Sequence, residues 1–254
     1  MTDRKPLRVL ILGATSAIAE ATARLYAAEG ASIALAARDG TRLAAIAADL
    51  TARGAGSVPI LARDLAAMDG LEAAFDAIVA ELGGIDHVLL FYGVLGEQKD
   101  AERDLAAARA ILDVDFTSAA LWSLAAAKRL EAQGSGALVV VGSVAGDRGR
   151  QSNYIYGAAK AGLATLVQGI AHRFALTGRK GLHAVVVKPG FVDTPMTDGL
   201  KKGGPLWASP DQVAAVIRKA AAGSGPIVYA PWFWRFILLI IRLVPAPIFH
   251  KTKL

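Results

Sequence analysis

The stretch LILGATSAIAEATARLY (Leu10–Tyr26) reads as the end of a buried strand, a tight turn and the start of a helix. The strand before the turn is aliphatic throughout, as expected of a strand covered on both faces. Gly13 supplies the turn. A helix entered in this way offers free N–H groups and a positive dipole end, which suits a pyrophosphate. Where such turns usually carry two more glycines, this chain has Ala17 and Ala19. Alanine is the next smallest residue, so close backbone approach survives. An ordinary helix start after a core strand is the competing reading. Ser16 and Ile18 flank the turn and are expected ligand contacts with Gly13.

The same alternation continues along the chain. Apolar runs at 8–13, 32–37, 57–62, 86–92, 136–143, 181–189 and 226–230 read as strands. Ala-rich stretches at 17–29, 40–53, 67–82, 100–110, 112–133, 153–177 and 209–222 read as helices. The pattern predicts an α/β fold, a doubly wound parallel seven-stranded sheet with right-handed crossovers. Residues 1–230 form one dinucleotide-binding domain in this reading, and 231–254 an apolar C-terminal tail. The ligand belongs at the carboxyl ends of the strands.

Composition narrows the function. The chain has 254 residues, 54% hydrophobic and 20% charged, enough for one large core. It has no cysteine, which excludes disulfides, thiolate nucleophiles and Cys metal sites, and no metal site is expected. The formal net charge of +6 is compatible with anionic ligands or a membrane surface. No dense Lys/Arg run with interleaved aromatics occurs, so no nucleic-acid partner is expected. The start, MTDRKPLRVLILGATS, does not read as a signal peptide, so a cytoplasmic location is expected.

The end of the second strand, LAARD, offers Arg38 where an acidic residue would bind the ribose 2′-hydroxyl of NAD. Arginine suits a 2′-phosphate, which points to NADP(H). Thr15 is placed to donate a second hydrogen bond to that phosphate. Asp39 reads as a helix N-cap. Asp64, after the third strand, is placed to touch the adenine amino group or to cap a turn.

The stretch VVVGSVAGDRGRQSNYIYGAAKAGL (Val139–Leu163) carries the chemistry. Ser143 ends a strand, and Tyr156 and Lys160, four apart, share a helix face. With the Gly-rich loop between them, these residues match the Ser…Tyr-x-x-x-Lys signature. The whole chain resembles the short-chain dehydrogenase/reductase family, through Gly13, IDHVLLFYG (85–93) and VKPGFVDTPM (187–196). A tyrosine is a poor proton donor at neutral pH, and a neighbouring ammonium corrects this by favouring phenolate. The resemblance implies that Tyr156 donates the proton, that Lys160 lowers its pKa and holds the nicotinamide ribose, and that Ser143 orients the substrate oxygen. It implies that Gly93, Pro189 and Gly190 shape the nicotinamide pocket, and that Val192 and Thr194 bind the carboxamide edge. Tyr154 lacks the spacing to Lys160 and reads as loop or pocket wall. TDGLKKGGPLW (197–207) reads as a lid with glycine hinges, with Lys201 and Lys202 solvated or facing an anionic substrate.

Two departures from the family stand out. LFYG (90–93) replaces the usual Asn-Asn-Ala-Gly, and Asp115 replaces the asparagine of the proton relay. Asp115 should pair with Lys160 and resist release of its proton, shifting the pH optimum.

FYGVLGE (91–97) and the tail RLVPAPIFHK (242–251) resemble the decaprenylphosphoryl-2-keto-ribose reductase branch. That implies a keto sugar on a polyprenyl phosphate and a flavin oxidase partner. WFWRFILLIIRLVPAPIF (232–249) is too short to span a bilayer, which needs about 20 apolar residues. Arg235 and Arg242 fall on one stripe, and Trp232 and Trp234 suit a headgroup boundary. The tail is therefore expected to lie on the inner membrane or to form a homo-oligomer seam, added to a core complete without it. The alternatives are a soluble carbonyl or 3-ketoacyl-type reductase with an oligomerising tail, and an NADP-binding regulator without catalysis.

Overall fold

The computed structural model describes residues 5–199, 202–223 and 225–252. Its elements run β1 (Arg8–Leu12), α1 (Ala17–Ala28), β2 (Ser32–Ala37), α2 (Gly40–Ala52), β3 (Ile60–Ala62), α3 (Leu71–Glu81) and β4 (His87–Leu90). Then come α4 (Gln98–Arg103), α5 (Leu105–Leu112), a π-helical turn (Asp113–Ser118), α6 (Ala119–Gln133), β5 (Gly136–Val141), a 3-10 turn (Val144–Asp147) and α7 (Tyr154–Leu176). The chain continues through β6 (Leu182–Pro189), β7 (Phe191–Val192), a second 3-10 turn (Pro195–Thr197), β8 (Trp207–Ala208), α8 (Pro210–Ala221), β9 (Ile227–Ala230), α9 (Trp234–Leu243) and α10 (Ala246–Phe249).

Seven strands form one parallel sheet in the order β3-β2-β1-β4-β5-β6-β9. The order reverses between β1 and β4, which opens a crevice at their carboxyl ends. Strand side chains alternate between faces. Val9 and Ile11 therefore join the layer under α1, α2 and α8, while Leu10 and Leu12 join the layer under α3, α6 and α7. This is the doubly wound Rossmann architecture expected of the sequence.

Some boundaries differ, each for a local reason. The third strand is Ile60–Ala62 rather than 57–62, because Pro59 has no N–H to donate. The carbonyls of Ser57 and Pro59 still accept from Ile33 and Leu35. The third helix starts at Leu71, after Gly70 at φ 67°, a left-handed turn that glycine adopts freely. The two expected helices over 100–133 are redrawn. A short α4 ends at Asp104, whose carboxylate caps α5 at the Ala106 N–H (2.9 Å). From Leu105 to Gln133 the helix is unbroken, with the π-helical turn inside it. Its length and composition would allow a membrane crossing, but half of it is buried in the domain, and Trp122, Ala126, Ala127 and Leu130 lie in the core. Tyr154 is the first residue of α7, half-exposed, and neither loop nor pocket wall. Nor is the core complete without the tail: Trp234 and Leu238 of α9 are buried.

His87 on β4 and Tyr26 of α1 share a buried hydrogen bond of 2.8 Å. Burial, then the charges of Arg218 and His183, lower the His87 pKa from 6.5 to about 4. The unfolded chain therefore binds this proton at a higher pH than the folded one. Stability is full above the ordinary imidazole pKa and is lost as the pH falls from 6.5 to about 4. Melting temperature measured across that window should drop in the wild type, and more shallowly in His87→Gln.

Candidate active site

The carboxyl edge of the sheet opens into a cavity of about 520 Å³. Gly13, Thr15, Ser16, Ile18, Arg38, Asp64, Gly93, Ser143, Tyr156, Lys160, Pro189, Gly190, Val192 and Thr194 all line it. Asp115 alone of the expected site residues does not. It stands behind the wall, fully buried, with its carboxylate 2.9 Å from the Lys160 ammonium.

The first turn forms a cradle. Gly13 has φ 84°, and a Cβ there would lie 2.7 Å from the Tyr92 backbone nitrogen. The turn is held by Gly13 N–H and Ala14 N–H donating to the Ala36 carbonyl. Ser16 precedes α1 without capping it by its side chain, so the first-turn N–H groups face the cavity beside Ala17 and Ile18. Ala19 is fully buried in the core under the sheet. Ala19 thus closes helix against strand, while Ala17 borders the cavity and no side chain takes the first donors. This geometry fits a dinucleotide pyrophosphate.

At the end of β2, Arg38 is exposed and has no ion-pair partner among the described residues. Asp39 is turned into capping α2, accepting from the Arg42 N–H at 2.9 Å. Arg42, which sequence reasoning missed, also lines the cavity, with its guanidinium 2.6 Å from Glu20. Asp64 borders the cavity and accepts from the Ala66 N–H at 3.0 Å, so its turn-capping reading holds alongside its exposure to the site.

α7 carries Tyr156 and Lys160, both buried, with Nζ 5.6 Å from the Tyr156 ring centre. The Ser143 hydroxyl accepts from the Ala145 N–H at 3.1 Å and starts the 3-10 turn. Burial pushes the Tyr156 phenol up; Lys160 lowers it, Asp115 raises it and Ser143 lowers it. Burial lowers the Lys160 pKa, but Tyr156 and Asp115 outweigh it and raise it overall. Burial raises Asp115, opposed by Lys160 and by the Val94 N–H, which donates to it at 3.1 Å. Gly93 is obligatory here, because a Cβ would collide with Asp115 and Lys160. The π-helical turn delivers Asp115 to this point, a use seen for such turns at functional sites.

The departure LFYG has a structural role. Tyr92 shares a 2.7 Å hydrogen bond with Ser118 of the π-helical turn. Ser118 and Trp122 both donate to the Leu65 carbonyl, next to Asp64. Two loops of the cavity rim are thereby tied to the long helix.

Sequence reasoning also missed a second buried pair. Lys188, one residue before Pro189, bonds Asp147 of the Ser143 turn, and Tyr229 of β9 donates to the same carboxylate at 2.6 Å. The signal was a lysine inside the apolar run VVVKPGF, which needs a partner. Gly190 is backed by the Trp234 indole, which would collide with any Cβ there. In the segment expected to be a lid, Lys202 pairs with Asp193 and Asp198 (2.6 and 2.5 Å), and Leu200 and Lys201 lie outside the described residues.

A helix N-terminus, an arginine-bordered corner and a buried Tyr–Lys pair on one crevice define a dinucleotide-dependent oxidoreductase. Comparison with known proteins gives the family. The description "short chain dehydrogenase" matches residues 8–204. An uncharacterized oxidoreductase of Mycobacterium tuberculosis (strain ATCC 25618 / H37Rv) is 41% identical over 256 residues, 99% of each chain. A cis-4-hydroxycyclohexanecarboxylate dehydrogenase of Sinomonas cyclohexanicum is 36% identical over 75% of each chain. A short-chain type dehydrogenase/reductase from Mycobacterium ulcerans shares the fold, with a TM-score of 0.75 at 21% identity over 89% of each chain. The chain belongs to the short-chain dehydrogenase family and is an oxidoreductase that works with a nicotinamide cofactor.

Removing the Asp115 charge should lower the pKa of both Tyr156 and Lys160. In Asp115→Asn the pH–rate profile should move to lower pH. Leaving a buried ammonium without its carboxylate should also destabilise the fold, by about 3–5 kcal/mol. An unchanged profile would contradict this electrostatic account.

Proposed function

We propose that the chain is an NADP(H)-dependent carbonyl reductase whose ketone is carried on a lipid-linked molecule, in particular the 2-keto pentose of a polyprenyl phosphate. The observation that carries the cofactor choice is the Arg38 corner, where the guanidinium is unpaired among the described residues and the neighbouring carboxylate is committed to a cap. The substrate class rests on the tail. α9 is seated on the two loops that carry the site, through Trp234 on Gly190 and Phe191 and through Arg148 next to Asp147.

Bound in the cavity, NADPH would supply the hydride. The chain's own residues manage the proton and the substrate. Ser143 donates a hydrogen bond to the ketone oxygen and orients it. Tyr156 gives its phenolic proton to that oxygen as it becomes an alcohol. Lys160, held charged by Asp115, stabilises the phenolate left behind and replaces the proton. Buried apolar neighbours exclude water and strengthen these interactions. A flavin oxidase as supplier of the ketone is what the resemblance of 91–97 and 242–251 to the keto-ribose reductase branch implies. Retention of Ser143, Tyr156 and Lys160 argues against a regulator without catalysis.

One relative favours a second reading, a soluble dehydrogenase of a small cyclic alcohol: the cis-4-hydroxycyclohexanecarboxylate enzyme. NADPH oxidation with a polyprenyl-phosphate 2-keto pentose, run against 4-oxocyclohexanecarboxylate, separates the two. Turnover of the small ketone alone would overturn the lipid-linked reading. Tyr156→Phe should abolish turnover and keep NADP(H) binding. Arg38→Ala should raise the KM for NADPH about tenfold or more while NADH kinetics barely change, reflecting one lost charge-assisted contact.

A further inference from the structure

The tail divides its side chains into three stripes. At about 100° per residue, Trp234, Ile237, Leu238 and Ile241 fall on one face of α9 and pack on the domain. Phe236, Leu239, Ile240 and Leu243 fall on the opposite face, exposed by between 52% and 73%. Trp232 extends that face, edge-on to Phe236 at 5.9 Å. Arg235 and Arg242 run along one border, with no ion-pair partner among the described residues. From Pro231 to Leu254 the sequence has four basic residues (Arg235, Arg242, Lys251, Lys253) and no acidic one.

The outward face is held in place. The Arg148 guanidinium donates to the carbonyls of Ile241 and Val244 at the end of α9, the latter at 2.7 Å. It also lies 3.7 Å from the centre of the Phe249 ring. The inner face is pinned by Trp234, whose ring is 5.6 Å from that of Phe191. Rotation of α9 to bury the outer stripe would break both anchors.

We propose that this stripe docks the protein on an anionic bilayer surface, with the apolar face in the headgroup–acyl boundary and Arg235 and Arg242 on the lipid phosphates. Charge complementarity selects this occupant. A second copy joined isologously and antiparallel through the same face would line up the arginines of both helices on one border, without a carboxylate in the segment to offset them. A helix of ten residues is about 15 Å long and cannot cross a hydrocarbon core of about 30 Å. It can lie in the interface, where apolar contact and anionic attraction act together. Docking in this way leaves the loops of Ser143 and Gly190 one helix thickness, about 10 Å, from the lipid. The proposal concerns binding alone and stands whether or not the substrate is lipid-linked.

The test is co-sedimentation of the full-length protein with vesicles of phosphatidylcholine, with and without phosphatidylglycerol. The wild type should sediment with the anionic vesicles and be released by raised salt. Ile240→Asp combined with Leu243→Asp should lose binding about tenfold or more, with its melting temperature unchanged because both residues are exposed. Arg235→Gln combined with Arg242→Gln should lose the preference for anionic vesicles. Absence of wild-type binding would overturn the proposal, as would full binding by either double variant. So would a fall in light-scattering mass in the Asp variant, which would make the face a subunit seam.

Discussion

A buried ammonium needs a polar partner, and in this chain a carboxylate supplies it, a pairing around which most of this site is arranged. Lys160 is nearly inaccessible to water, and an unpaired charge there would cost several kcal/mol. Asp115 meets the need from a different element. Its arrival depends on a π-helical turn in a long core helix, on Gly93 leaving room, and on the Val94 N–H holding the second oxygen. Three segments far apart in sequence thus converge on one charge pair. The same logic recurs a short distance away, where Lys188, Asp147 and Tyr229 join the ends of β5, β6 and β9. The first pair ties α7 to the π-helical turn, and the second ties the turn that carries Ser143 to the wall from Pro189.

The cradle at the first turn is built by packing rather than by glycine alone. Ala19 fills the gap between α1 and the sheet, and Tyr92 closes against Gly13 so tightly that no Cβ fits. Because no side chain caps α1, its first N–H groups stay available. The helix that follows β2 is capped instead: the Asp39 carboxylate borders the cavity next to Arg38 and accepts from the Arg42 N–H.

The tail belongs to the site more closely than its composition suggests. Trp234 backs Gly190, so that glycine is required by the tail and not by its own backbone conformation. Arg148 follows Asp147 directly, so the residue that holds the end of α9 and the residue that pairs Lys188 are neighbours in one turn. A change in how the tail is seated would reach both walls of the cavity.

The alternating strands and helices were legible in the sequence because each element announces itself by local pattern and its ends by Gly, Pro or a capping carboxylate. Local spacing also placed Tyr156 and Lys160 on one face and Asp39 on a cap. What the sequence by itself determined is therefore the doubly wound fold, its ligand edge and, with the family resemblance, many of the residues lining that edge, though not Arg42. Boundaries slipped where tertiary pairing overrode local signal, as at β3 and in the helix over 105–133. Only the tertiary structure decided which buried charges meet, since Asp147 and Lys188 are forty-one residues apart and no periodicity links them. It also decided which face of α9 is spent on Gly190 and Phe191 and which is left to solvent, because a near-uniformly apolar helix carries no inward direction until a partner surface supplies one.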